Sequence, residues 1–106
     1  MSSQEIIQKL IDDNEVESVL KLNSTNKDGV RALQYVLYNI GFGSELNWSK
    51  YGADGAYGQS CTRAVKNFLQ KNDLPSNGEV VTKEIAQTML DRDDIVDDLW
   101  IQYCLI

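Results

Sequence analysis

The stretch "YGADGAYGQSCTRAV", residues Tyr51 to Val65, sets two glycine turns against the start of a helix. A second turn of the same type, Asn77-Gly78-Glu79-Val80-Val81, follows after "FLQKNDLPS". Aligned, Asp54-Gly55-Ala56-Tyr57-Gly58 and the second turn share an Asx-Gly pair, a free position, a large apolar residue and then a helix start. An Asx side chain turns or caps its own backbone, and glycine supplies a positive φ without steric cost. The apolar residue before each helix plugs the core in the manner of a hydrophobic staple. The repeat is therefore read first as a device of the fold.

Helical periodicity surrounds these turns. Residues 2–22 read as a helix: Ser2 and Glu5 fit a capping box, and Ile6, Ile7, Leu10 and Ile11 form a stripe continued by Val16, Val19 and Leu20. "NSTNKDG", residues 23–29, is polar and turn-forming. Asp28 is the expected N-cap of a second helix, whose Val30, Leu33, Leu37 and Ile40 share a face and which Gly41 stops. Tyr35 falls on the opposite side and Tyr38 on the flank. A long aromatic loop holds Trp48, Tyr51 and Tyr57. In the third helix Cys61, Ala64, Val65, Phe68 and Leu69 share a face, which makes Cys61 a small buried hydrophobe. Thr82 caps a short helix to Leu90, with Ile85, Ala86 and Met89 inward. The last segment starts with aspartates suited to a helix N-terminus and ends in Ile95, Val96, Leu99, Trp100 and Tyr103. No segment alternates long enough to demand a sheet.

The expected fold is thus all-α: a small three-helix core with an additional helix at each terminus. It divides the chain into residues 1–27, an N-terminal helix and linker; 28–90, the three-helix domain; and 91–106, a C-terminal helix packing on the domain or on a partner.

Composition narrows the chemistry. The 106 residues carry a net charge of −6, from 16 acids against 10 bases. Nucleic acid rewards basic patches through counterion release, and anionic membranes do likewise, so neither is an expected partner. No run reaches the roughly 18 apolar residues of a membrane span, and the N-terminus shows neither a basic region nor a cleavage site. The expectation is synthesis in the cytoplasm, with delivery elsewhere by lysis or a non-classical route. There is no histidine, which removes Ser-His-Asp and Cys-His catalysis. Cys61 and Cys104 make no zinc motif, and no metal or other cofactor is implied.

With these residues in view, the segments "VRALQYVLYNIGF", "DGAYG" and "TRAVKNFLQKNDLPSNGEV" resemble the peptidoglycan-binding domain found beside many bacterial cell-wall hydrolases. The family's first-helix pattern falls on Val30, Leu33, Gln34, Leu37 and Gly41. Its turn-and-helix signature falls on Asp54, Gly55, Tyr57, Gly58, Ala64, Val65 and Phe68, and a later region on Leu74, Pro75 and Gly78. Gln59 stands where the family often has Pro, Cys61 where it often has Thr, Asn77 for Asp and Val81 for Gly. The resemblance implies a non-catalytic module that binds peptidoglycan, through its glycan or stem peptide, and anchors itself or a partner to the cell wall.

Six residues in or just after the long loop are candidate ligand contacts: Trp48, Tyr51, Asp54, Tyr57, Gln59 and Arg63. Trp48 or Tyr51 could stack a sugar ring, Asp54 accept hydroxyl or amide protons, and Arg63 pair with a peptide carboxylate. Tyr57 fits equally as a core plug, Asp54 as a turn former and Arg63 as a solvated helix residue. A glycosidase would need two carboxylates roughly 5–9.5 Å apart, and no sequence feature pins such a pair. A second reading keeps the scaffold but loses glycan binding, as in a phage or injection-apparatus component. It would bind a protein through the C-terminal helix, by Ile95, Leu99, Trp100 and Tyr103. Because the chain is acidic, affinity for an anionic polymer must come from stacking and directed hydrogen bonds.

Overall fold

The computed structural model describes residues 2–15, 18–43, 46, 52–74 and 78–104, with the backbone alone for 94–104. The elements in chain order are α1 (Ser3–Asp12), β1 (Leu20–Lys21), α2 (Lys27–Leu37), a π-helical turn (Tyr38–Phe42), α3 (Gln59–Lys71), β2 (Val80–Val81) and α4 (Lys83–Cys104). The fold is all-α apart from a two-stranded antiparallel bridge, in which Leu20 faces Val81 and Lys21 faces Val80.

Ser2 caps α1 by accepting from the Glu5 amide at 3.1 Å, as the sequence suggests. The helix is shorter than the apolar stripe implies and ends at Asp12. Two acids at a helix C-terminus oppose its dipole, and Asp13 turns the chain by accepting from the Glu15 amide at 2.9 Å. Lys83 then donates to the Asp13 carbonyl at 2.7 Å. Val19 and Leu20, both buried, belong to the strand bridge: the Val19 amide donates to Val81 at 2.9 Å and the Leu22 amide to Glu79 at 2.7 Å.

The cap of α2 is Asn26, not Asp28: its Oδ1 accepts from the Gly29 amide at 3.1 Å, while Asp28 sits exposed in the first turn. Gly29 is buried where a Cβ would stand 3.2 Å from Leu10 Cδ1, so α1 lies close against α2. Val30, Leu33, Val36 and Leu37 fill the core. The π-helical turn closes on Gly41 at φ +103° and delivers Phe42 to the core. There its ring meets Phe68 edge to face at 5.9 Å, with Lys71 Nζ 5.2 Å above it.

In α3 the five residues expected inward, Cys61, Ala64, Val65, Phe68 and Leu69, are all buried. The helix ends in a Schellman turn, with Leu74 N–H bonded to the Leu69 carbonyl at 2.9 Å and Asp73 at φ +55°. Thr82 caps α4 through the Ile85 amide at 3.2 Å. Where the sequence suggests a short helix to Leu90 and another after it, the backbone runs on as one helix of 22 residues. No glycine or proline interrupts residues 83–104, and the aspartates are ordinary helix-interior residues on this path. Asp93 on this helix is buried and accepts from Gln4 Nε2 at 2.9 Å, which docks the start of α1.

Both turn glycines take positive φ, +77° at Gly55 and +82° at Gly78. Gly78 lies directly on α3: a Cβ there would collide with the Thr62 carbonyl and stand 2.9 Å from Lys66 N and Cβ. Gly78→Ala is expected to cost about 2–4 kcal/mol in urea unfolding, from the clash and the left-handed φ together. Gly58→Ala is the contrast: φ there is −110° and a Cβ meets open space. That variant is expected to lose under about 1 kcal/mol in the same measurement.

Candidate functional site

Gln34 organises the surface around the first turn. It sits on α2 at 3% exposure, among apolar neighbours. Its Oε1 accepts from the Gly55 amide at 3.0 Å. Its Nε2 donates to Asp54 Oδ1 at 2.9 Å and reaches the Ala56 carbonyl at 3.3 Å and Cys61 Sγ at 3.4 Å. One side-chain amide thus satisfies both edges of the turn, which suits a group with a carbonyl and two N–H bonds. Asp54 closes the turn on itself, its Oδ1 accepting from the Ala56 amide at 3.0 Å.

This network sets the electrostatics. Burial pushes the Asp54 carboxyl up. Hydrogen bonds from Gln34 and the Ala56 and Asp54 amides, with the Arg31 charge nearby, more than reverse this and hold it below the ordinary 3.8. Burial pushes the Cys61 thiol up to about 11; the Asp54 charge adds to this and the Gln34 hydrogen bond opposes it. Cys61 is thus an inert core thiol, as its helical position implies.

The structure describes four of the six expected ligand residues. Asp54, Gln59 and Arg63 are exposed. Gln59 opens α3 and Arg63 follows one turn later, so both project beside the pinned turn. Tyr57 belongs to the core: it is 2% exposed, and its hydroxyl donates to the Gly78 carbonyl at 2.6 Å. Burial raises its phenol well above the ordinary value, with the Cys61 and Glu79 charges adding to the effect. Its ring therefore offers no face to a ligand, and the correction follows from position, since the residue leading into α3 must close the core. Trp48 and Tyr51 lie outside the described residues, and Ile95, Leu99, Trp100 and Tyr103 lie where only the backbone is described. Among the described residues no cluster of acids and cysteines has metal-holding geometry, and no helix is long and apolar enough to cross a membrane.

Sequence reasoning placed Gln34 in a motif without assigning it work. The available signal was a lone amide on the apolar face of Val30, Leu33 and Leu37, which must find partners once buried.

Residues 26–89 match the family model of the putative peptidoglycan binding domain. The match covers more than half of the chain, and the chain belongs to this family. It begins at Asn26, the cap of α2, and ends inside α4, so α1 and the rest of α4 are additions to the matched region. Neither the curated proteins nor the solved structures give a match.

Replacing Gln34 with alanine strands the buried Gly55 amide and is expected to cost about 2–4 kcal/mol, read by urea unfolding. The depressed Asp54 carboxyl contributes stability that is complete above the unfolded carboxylate range and lost as pH falls through its folded value. Asp54→Asn is therefore expected to flatten the fall of the unfolding midpoint below about pH 4, relative to wild type.

Proposed function

We propose that this protein is a non-catalytic module that binds peptidoglycan and holds itself or a partner at the cell wall. The observation that carries the reading is the family match over residues 26–89, together with a turn whose motif residues make its internal bonds. Residues 28–90 form the binding domain in this reading, and the flanking segments serve to buttress or connect it.

The ligand surface in this reading is the rim of the pinned turn, with Asp54 at its edge and Gln59 and Arg63 on the first turns of α3; Trp48 and Tyr51 join it from the sequence alone. Carbohydrate suits such a rim, because aromatic faces take the C–H side of a sugar ring and fixed polar groups take its hydroxyls. Arg63 offers a planar fork for a stem-peptide carboxylate. Catalysis has little support in this reading: without histidine, a hydrolase here would need a paired-carboxylate cleft, and Asp54 already spends Oδ1 inside its turn.

Co-sedimentation with purified, protein-free sacculi tests the proposal. The protein is expected to pellet at low and moderate salt alike, because a chain of net charge −6 cannot bind an anionic polymer through bulk charge. Trp48→Ala and Tyr51→Ala are expected to weaken pelleting without shifting the thermal midpoint. Wild-type protein that stays in the supernatant would sink the proposal.

A further inference from the structure

A cleft of about 310 Å³ opens between the end of α1, the strand β1 and the chain that enters α2. Leu10 and the buried Val19 and Leu20 give it an apolar floor, and Ser18, Lys21, Ser24 and Asn26 give it a polar rim. All but Asn26 precede residues 26–89, so the cleft is built by the segment that stands in front of the family's domain. It shares no residue with the rim of the pinned turn.

Its walls are held by the backbone. The Val19 amide donates to the Val81 carbonyl at 2.9 Å and the Leu22 amide to the Glu79 carbonyl at 2.7 Å, which fixes β1 on β2. The Ser24 amide donates to the Lys21 carbonyl at 3.0 Å around Asn23, whose φ is +65°. The Asn23 amide in turn donates to the Tyr57 carbonyl at 3.0 Å. Gly29 gives the opposite wall its room: a Cβ there would stand 2.7 Å from Asn26 Nδ2 and 3.2 Å from Leu10 Cδ1. The cleft therefore exists before a ligand arrives, which lowers the ordering cost of binding.

The side chains on the rim are left chiefly with donors. Asn26 spends its Oδ1 on the Gly29 amide at 3.1 Å and keeps its two N–H bonds. Ser24 Oγ accepts from the Asn26 amide at 3.3 Å and keeps its hydroxyl proton. Lys21 adds an ammonium, which can only donate, and Ser18 adds a second hydroxyl. Such a set calls for a charged acceptor, and a carboxylate meets it with the stronger, charge-assisted bonds. The apolar floor beside it calls for a small alkyl group. Among the described residues neither an acid nor an aromatic ring lines the cleft. A carboxylate thus meets no like charge from them, and a sugar ring finds no face to stack on.

We propose that this cleft binds the carboxylate end of a stem peptide. Lys21 pairs with the terminal carboxylate, Ser18, Ser24 and Asn26 donate to it or to the last peptide carbonyl, and the floor of Leu10, Val19 and Leu20 receives the small alkyl side chain of the last residue. The inference rests on the peptidoglycan reading above, and it takes the terminal carboxylate to this cleft and not to Arg63. The volume stands at the lower end of ligand sites, which run from roughly 300 to 1,000 Å³, and so suits one or two small residues.

Titration of the full chain with N-acetyl-D-alanyl-D-alanine, followed by amide chemical shifts, tests the cleft. Saturable shifts are expected at the amides of Leu10 and of residues 18–26, with a dissociation constant of about 1 mM, the affinity that so small a ligand reaches. The same dipeptide ending in a carboxamide is expected to bind at least about tenfold more weakly. Lys21→Gln is expected to weaken binding of the free acid to the same extent, and Lys21→Arg, which keeps the charge, to stay within about threefold of wild type. Both variants change an exposed side chain, and their own spectra report the fold. No saturable shift at the cleft by about 10 mM probe overturns the proposal, and so does equal binding of acid and carboxamide or an unchanged Lys21→Gln. Sacculi that still pellet the wild type would then leave the peptidoglycan reading standing. A dipeptide that binds at the cleft while sacculi leave the protein in the supernatant overturns the peptidoglycan reading, and with it the stem peptide as the source of the carboxylate.

Discussion

The hydrogen bonds between the Gln34 amide and the Asp54-Gly55-Ala56 turn are what the rest of the structure is arranged around. A buried side-chain amide is costly unless each of its polar atoms is paired. Here the carbonyl takes the Gly55 amide, and the nitrogen takes Asp54, with Ala56 and Cys61 within reach. That requirement fixes the turn on α2, and the turn fixes where α3 begins. Gly55 is demanded twice over, by its φ of +77° and by the Lys27 carbonyl 3.2 Å from where a Cβ would be.

The second turn is tied to the first by the same logic. Tyr57 leaves the pinned turn, fills the core and donates its hydroxyl to the carbonyl of Gly78. Gly78 in turn lies on α3 at a distance that excludes any side chain. The β1–β2 bridge holds the segment after Gly78 against the segment before α2, so both helix entries share one small scaffold. The two Asx-Gly turns are therefore coupled parts, and the sequence repeats them because each of the last two core helices needs the same entry.

A rigid turn gives this small domain its surface chemistry. Asp54 Oδ1 is committed inward, so the carboxylate is oriented and kept ionised over most of the accessible pH range. The Arg31 charge of α2 acts on it, and Gln59 and Arg63 stand exposed on the first turns of α3.

The inward faces of α2 and α3 follow from local sequence alone, because apolar spacing of three and four residues selects one side of a helix wherever that helix packs. The positive φ at Gly55 and Gly78 is equally local, a matter of backbone sterics beside an Asx residue. Other features were decided only by contacts between distant segments. Val19 and Leu20 continue a helical stripe on paper, yet Leu20 pairs with Val81 and the Val19 amide donates to the Val81 carbonyl, because that distant strand offers a buried ladder partner. The one local exception is the cap of α2, where Asn26 displaced Asp28 by accepting from the Gly29 amide three residues on. Tyr57 was legible as ring or plug, and the Gly78 carbonyl settled it as plug. Local sequence thus determined which face of α2 and α3 is apolar, since that depends on near neighbours. Tertiary structure decided which polar groups are consumed inside and which are left exposed, since a buried donor or acceptor takes whatever partner the packed chain brings within reach.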